Sequence, residues 1–122
     1  MSTFTPQFLD NLFSTGNAYT FTLTDIHNIL ETEGTGYWAT SLTHDDEART
    51  FTIGDYEGVK RTVSYDALTT AINKHAVTYF PYWYLREVAS EIEAPTEHGV
   101  FGDSDMSDML IQFATFDTLV YG

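Results

Sequence analysis

The side chains suited to acid–base or metal chemistry are four histidines and eighteen carboxylic acids, and the chain has no cysteine. The histidines are His27, His44, His75 and His98, and none of them has a spacing typical of a metal site. His27 and Glu31 lie four residues apart on a predicted helix, which supplies at most half of a site. We therefore expect histidines in structural or solvent-exposed positions, with no bound metal and no cofactor.

The acids at Asp103, Asp105 and Asp108 have a spacing that resembles the start of a calcium loop. They lack the glycine and the distant bidentate glutamate that such a loop requires. Acids at the start of a helix stabilise it by capping and by their attraction to the positive end of the helix dipole. We interpret this group as capping of a helix that begins at Ser104 or Asp105.

A second acidic group, Asp45, Asp46 and Glu47, follows a predicted strand. Paired carboxylates can act as general acid and base when burial raises the pKa of one of them. A run of charges in a turn is normally solvated, and the chain has neither a nucleophile-elbow sequence nor a glycine-rich phosphate loop. Without cysteine there is no thiol catalysis and no zinc–thiolate site. The sequence therefore predicts a protein that is not an enzyme.

The charge is strongly unbalanced, with 5 Lys and Arg against 18 Asp and Glu and a formal net charge of −13. This excludes a cationic surface for direct nucleic-acid or membrane binding. Solubility alone requires a net charge of only about 2–8 in a small domain, so we interpret the excess as a surface for a basic protein partner. The acids expected to act there as phosphate-like acceptors are Asp45, Asp46, Glu47, Asp55, Glu57, Glu87, Glu91 and Asp103.

The acidity is also compatible with two origins that involve no partner. One is an evenly acidic, solvated surface. The second is adaptation to a salty cytoplasm, which two lysines and many threonines and acids would suit.

The aromatic run at residues 79–85 is the second distinctive feature of the composition. Core packing explains such a run most simply. The alternative is an exposed patch of Tyr82, Trp83 and Tyr84, a composition typical of protein interfaces. The sequence then predicts a homodimer formed through these aromatic side chains.

The elements that must position these residues follow from periodicity and turn signals. A length of 122 residues predicts a single domain over 1–122. We expect an α+β fold in which a three-stranded antiparallel meander, over about 36–63, packs with four to five helices. The strands are expected at 36–42, 49–53 and 59–63. The helices are expected at 6–14, 25–33, 65–75 and 81–92, with a last one from residue 104 or 105.

The sequence offers no candidate membrane span, since no stretch approaches the ~18 consecutive apolar residues of such a span. Residues 1–10 have neither the basic nor the apolar region of a signal peptide. We therefore expect a soluble protein in the cytoplasm.

Three segments resemble a pattern in small acidic proteins of bacteriophages. The first, 25–38, carries Asp-Ile-x-x-Ile-Leu, a glycine-containing turn and Tyr-Trp. The second, 63–72, reads Val-Ser-x-Asp-x-Leu-x-x-Ala-Ile, and the third, 105–122, ends in Val-Tyr-Gly. The chain departs from the pattern at Asp117, where glycine is usual, and at 31–33. The resemblance implies a phage or mobile-element origin and transfers no catalytic residue.

Charge and resemblance together lead to one functional hypothesis. The chain is expected to be a non-enzymatic inhibitor or decoy of a basic nucleic-acid-handling host protein such as a nuclease, polymerase or repressor. An anti-restriction or anti-CRISPR role follows by analogy with other small acidic phage proteins. The alternatives are a self-associating interaction module and a protein that sequesters a small molecule.

Overall fold

Three short strands form one antiparallel sheet, and helices precede and follow it. The computed structural model describes residue 7 and residues 21–31, 34–94 and 104–121. Within these ranges the chain forms seven elements. They are α1 (Leu23–Glu31), β1 (Ala39–Asp45), β2 (Thr50–Asp55), β3 (Lys60–Ser64), α2 (Tyr65–Tyr79), α3 (Tyr82–Glu93) and α4 (Ser104–Phe116).

The predicted α+β class and the meander are confirmed, with the strand order β1-β2-β3. The first strand begins three residues later than expected and extends to Asp45. The reason is a turn over 34–38, in which the carbonyl of Thr35 accepts the N–H groups of Trp38 and Ala39 at 3.0 and 2.9 Å.

The two faces of the sheet differ as the alternation predicts. Phe51 and Ile53 on β2 are buried, and residues directly opposite each other in an antiparallel pair point to the same face. The other face carries threonines, and the hydroxyls of Thr52 and Thr62 lie 2.9 Å apart across β2 and β3. Threonine thus occupies the face of the sheet opposite the buried Phe51 and Ile53.

The first described helix begins before the expected position. Thr22 and Asp25 bond reciprocally: the Thr22 hydroxyl accepts the Asp25 N–H at 3.2 Å, and the Asp25 carboxylate accepts the Thr22 N–H at 3.0 Å. This arrangement is a capping box, which satisfies two backbone donors at the helix start. The helix therefore spans 23–31 where the sequence predicted 25–33.

The remaining helices agree with the predicted positions within a few residues. Ser64 is the N-cap of α2, although its side chain makes no capping hydrogen bond. That helix continues to Tyr79, four residues beyond the expected end. Helix α3 follows after Phe80 and Pro81. The helix predicted over 6–14 lies outside the described residues apart from Gln7.

A single cluster of buried side chains joins the helices to the sheet. Helix α4 packs against α1 and α2. The largest fully buried side chains come from both helices and strands and are Tyr65, Tyr84, Phe51, Ile26, Ile29, Ile53, Leu68, Ile72 and Leu85. This core fixes the edge of the sheet relative to α1 and α2.

Asp108 corrects the capping interpretation made for the acids at the start of α4. Its carboxylate is buried and accepts hydrogen bonds from the Tyr37 hydroxyl at 2.6 Å and from the Trp38 indole at 2.8 Å. Burial and the bond to Asp108 raise the pKa of Tyr37 to about 12. The carboxylate therefore ties the turn before β1 to α4, whereas Asp105 does lie in the first turn of α4.

Gln112 extends this network to the end of the described chain. Its side chain is fully buried, and its carbonyl oxygen accepts the N–H groups of Val120 and Tyr121 at 2.9 and 2.8 Å. Tyr121 in turn stacks on Trp38, with ring centroids 4.7 Å apart. The turn before β1 and the segment after α4 thus pack against each other.

Gly34 is required where these segments meet. A Cβ atom at this position would overlap the backbone carbonyl oxygen of Ser104 at the start of α4. Any other residue would push α4 away from the turn that precedes β1.

Candidate functional site

The register of β1 brings His44 toward two helices. His44 pairs with Phe51 of β2, so both side chains point to the helix-covered face. Phe51 is fully buried, but His44 lies at the edge of the sheet and stays about one-third exposed. The imidazole therefore meets α1 and α2 where the core opens to solvent.

His27, His44 and Asp46 converge at this edge and are named here the His–Asp cluster. The Nε2 atom of His27 lies 3.0 Å from both carboxylate oxygens of Asp46. The Nδ1 atom of His44 lies 3.3 Å from Oδ1 of the same carboxylate. The two imidazole rings are 5.1 Å apart and inclined at 38°. Side chains from α1, β1 and the following turn thus share one small volume.

Tyr65 orients the carboxylate of the cluster from its buried side. It is the first residue of α2, its side chain is fully buried, and its hydroxyl donates to Oδ1 of Asp46 at 2.6 Å. This bond, with the bond from His27, lowers the pKa of Asp46 to about 2. Burial and the same carboxylate raise the pKa of Tyr65 to about 12. The cluster therefore holds an ionised Asp46 beside a neutral phenol.

The turn between β1 and β2 is built by its own polar groups. The Asp45 carboxylate accepts the N–H groups of Glu47 and Ala48 at 3.0 and 3.2 Å, which is an Asx-type turn. Arg49 adopts φ 55°, and its carbonyl accepts the N–H of Tyr65 at 2.8 Å. These bonds tie the turn to the start of α2, so the position of Asp46 is fixed on both sides.

An open groove of about 510 Å³ adjoins the cluster. It runs between the end of α1 and strand β1, and His44 lines one part of it. The groove walls mix apolar atoms of Leu30 and Leu42 with polar groups of Glu31 and Thr40. A small molecule in this groove would have access to the exposed side of the imidazole.

The acids predicted from sequence do not form one face. Asp45, Asp46 and Glu47 are exposed in the β1–β2 turn, whereas Glu57 is exposed in the β2–β3 turn. A meander places successive turns at opposite ends of the middle strand, and the six residues of β2 separate them by about 17 Å. The sequence-based prediction grouped the two turns, whereas the structure places them at opposite ends of the sheet.

Burial removes two further acids from the exposed set. Asp55 is buried, and it accepts a hydrogen bond from Arg61 at 3.1 Å and the N–H groups of Glu57 and Val59 at 2.9 and 3.0 Å. Burial alone would raise its pKa, but these bonds outweigh burial and lower it. Glu91 is also buried, whereas Glu87 is exposed. Asp103 lies outside the described residues.

The aromatic run divides between core and surface. Tyr84 is fully buried and packs edge-on against Phe80, so it belongs to the core. Tyr82 and Trp83 are about half exposed, and so is Tyr79 at the end of α2. Three exposed aromatic side chains therefore lie on either side of the corner between α2 and α3, at the end of one helix and the start of the next.

Sequence reasoning missed the His–Asp cluster. The predicted first strand ended at residue 42, which left His44 in a polar turn, and His27 was paired only with Glu31. In the fold His27 meets Asp46, nineteen positions along the chain. The alternation of β1, extended two residues further, would have placed His44 on the same face as Leu42.

Comparison with known proteins finds no matching family, no similar curated protein and no similar solved structure. Within the ranges that the structure describes, no helix is long and apolar enough to cross a membrane.

Proposed function

We propose that this chain is a non-enzymatic binding protein that presents an acidic surface to a basic, nucleic-acid-handling partner protein. The observation that carries the proposal is the segregation of charge along the sheet. Asp45, Asp46, Glu47 and Asp66 lie in or beside the β1–β2 turn and are exposed, and Arg49 is the cation of that turn. These four carboxylates are named here the acidic end.

The opposite end of the sheet is balanced. There the acids Asp55 and Glu57 stand beside Lys60 and Arg61, and Arg61 forms an ion pair with Asp55 at 3.1 Å. An excess of carboxylates at one end produces a directional field, which steers a cationic partner and weakens as salt is added. The proposal therefore places the contact at the acidic end.

The rigidity of the turn favours binding as well. The Asx-type bonds of Asp45 and the bond between Arg49 and Tyr65 order the backbone before a partner arrives. A preordered surface loses less conformational entropy on association than a mobile one. Lysine and arginine side chains that contact DNA or RNA phosphates would find fixed carboxylates instead. A phage-encoded inhibitor acting in the cytoplasm of its host is the biological setting that the proposal implies.

Two double variants with equal charge change test this assignment. Asp45→Asn with Glu47→Gln removes two carboxylates from the acidic end, and Glu57→Gln with Glu87→Gln removes two elsewhere. Tag-captured wild-type protein is exposed to lysate and eluted first with short duplex DNA at constant salt and then with rising salt. We expect DNA to release a basic protein from the wild type and from the Glu57 and Glu87 variant. The Asp45 and Glu47 variant should capture at least about tenfold less of that protein.

Three results would contradict the proposal. One is equal capture by both variants, which would make the effect one of net charge. Another is greater loss with the Glu57 and Glu87 variant, which would move the contact to another face. The third is that DNA and salt release no basic protein from the wild type.

A second candidate function rests on the exposed aromatic corner. Tyr79, Tyr82 and Trp83 are each about half exposed, and clustered Tyr and Trp side chains are typical of interface hot spots. We expect self-association through this corner, measured by sedimentation velocity over a concentration series. Tyr82→Ala with Trp83→Ala should weaken it at least about tenfold, whereas Tyr56→Ala, at an exposed tyrosine elsewhere, should not. A wild type that stays monomeric throughout the series would refute this candidate.

A further inference from the structure

We propose that His27, His44 and Asp46 form a binding site for a divalent first-row transition ion of the Zn²⁺ class. This inference is independent of the acidic surface proposed above, since it depends on the two imidazoles. Among the described residues, His27, His44 and Asp46 are the one set of three His, Asp or Glu side chains whose ligand atoms all lie within 4.8 Å of one another.

The separations between the donor atoms fit a common ion. Zn–N and Zn–O bonds of about 2.0–2.2 Å in tetrahedral geometry place neighbouring ligand atoms about 3.3–3.5 Å apart. The carboxylate of Asp46 lies 3.0 Å from Nε2 of His27 and 3.3 Å from Nδ1 of His44. All three ligand atoms lie within 4.8 Å of one another, and the side chains are 32–41% exposed, so a bound ion would draw the two imidazole nitrogens toward the carboxylate by side-chain rotation.

The chemistry of the donors selects the kind of ion. Two imidazole nitrogens and one carboxylate suit Zn²⁺ and other first-row transition ions, whereas Mg²⁺ and Ca²⁺ prefer oxygen ligands throughout. The carboxylate of Asp46 lies within hydrogen-bond distance of both imidazoles, so it is placed to serve as the oxygen ligand. The nitrogen donors bind the ion in their neutral form, and binding displaces the proton that either nitrogen shares with Asp46.

The surroundings hold the carboxylate in place and leave one side open. The buried Tyr65 hydroxyl fixes Oδ1 of Asp46 at 2.6 Å, the kind of supporting bond that raises metal affinity by about 10–100-fold. With three protein ligands, a tetrahedral ion keeps one position for water or a ligand. His44 also lines the groove beside α1, so a molecule in that groove could occupy the open position.

Calorimetric titration of tag-free protein with Zn²⁺ alone tests the site, with Mg²⁺ as the control ion. We expect one Zn²⁺ per chain and at least about tenfold weaker binding in each of His27→Ala and His44→Ala. The matched control is His75→Ala, because His75 also contacts an aspartate, Asp117, at 2.9 Å, and no second imidazole from the described residues joins that pair. That variant should bind Zn²⁺ as the wild type does.

A second measurement separates ligation from general attraction to an acidic surface. The ring nitrogens report directly in ¹⁵N NMR, and Zn²⁺ should shift Nε2 of His27 and Nδ1 of His44 while leaving His75 unchanged. Asp45→Asn with Glu47→Gln keeps the ligands and should retain the stoichiometry. Absence of a one-to-one complex in the wild type, equal losses in the His75 variant, or zinc-induced shifts at the ring nitrogens of His75 would overturn the proposal.

Discussion

Two histidine–aspartate clusters occupy different parts of this molecule and differ in their third member. In the His–Asp cluster, Asp46 receives His27 at 3.0 Å and His44 at 3.3 Å. On α2, His75 lies 2.9 Å from Asp117, and the third group is Lys74, whose Nζ lies 2.7 Å from the same carboxylate. The imidazole–carboxylate distance is nearly the same in both.

The third group decides what each arrangement can bind. A second imidazole supplies a lone pair, so the first cluster can surround a cation. A lysine ammonium has three donors and no lone pair, so it occupies the carboxylate of Asp117 and repels any added cation. The second cluster is therefore complete as an ion pair, whereas the first has capacity for a ligand.

The support beneath the two carboxylates differs as well. Asp46 is fixed by the buried hydroxyl of Tyr65, while Asp117 is 64% exposed and has φ 58° just after α4 ends. His75 gains its order from packing, because its ring stacks on Phe113 with centroids 4.0 Å apart. In the His–Asp cluster the surroundings therefore hold the aspartate in place, whereas in the second cluster they hold the histidine. The same pair of residue types can thus be fixed at either partner.

The largest difference in stability between the two clusters should appear when the buried hydroxyl of Tyr65 is removed. Tyr65→Phe deletes the hydroxyl that donates to Asp46 and should lower the free energy of unfolding by about 1.5 kcal/mol, the worth of a hydrogen bond to a charged group. Tyr79→Phe is the matched control, because Tyr79 is 47% exposed and contacts His75 through its ring. Its effect should stay within about 0.5 kcal/mol in urea denaturation. Equal losses in both variants would mean that Asp46 is not specially supported.

The elements around both clusters were accessible from sequence, because each depends on local periodicity. The helix beginning at Ser104 and the helix beginning after Ser64 have a serine at the start and apolar spacing that identify them within a few residues. The strands of the meander follow from alternation and turns in the same way. Local patterns therefore predict the scaffold.

The His–Asp cluster was not accessible in this way because it depends on long-range register. Its members come from α1, β1 and a turn, and they meet only because β1 continues to Asp45 and pairs with Thr50. The same holds for the acids that proved to be buried. Asp55 closes the β2–β3 turn with its own carboxylate, and Glu91 faces the core from α3. Charge alone predicts exposure, and only packing identifies such exceptions.

The dependence of stability on acid pH should differ between the two clusters by a smaller amount. The bonds from Tyr65 and His27 lower the pKa of Asp46 from its ordinary value of 3.8 to about 2. A carboxyl group with a lowered pKa in the folded state stabilises the fold fully above its unfolded pKa, and this contribution is lost as the pH falls through its folded pKa. Between about pH 4 and pH 2 the wild type should therefore lose stability more steeply than Asp46→Asn.

Asp117 should also contribute stability that is lost as the pH falls, because Lys74 and His75 lower its pKa. Its exposure to solvent and salt weakens those contacts, so the slope for Asp117→Asn should lie between those of the wild type and Asp46→Asn. Urea midpoints measured at several pH values in this range, at two salt concentrations, would distinguish them. Added salt should reduce the Asp117 contribution more, because the bond from a buried hydroxyl to Asp46 is less screened than a surface ammonium pair. Parallel curves for the wild type and Asp46→Asn would show instead that the two carboxylates are equivalent, and the distinction between the clusters would then rest on metal binding alone.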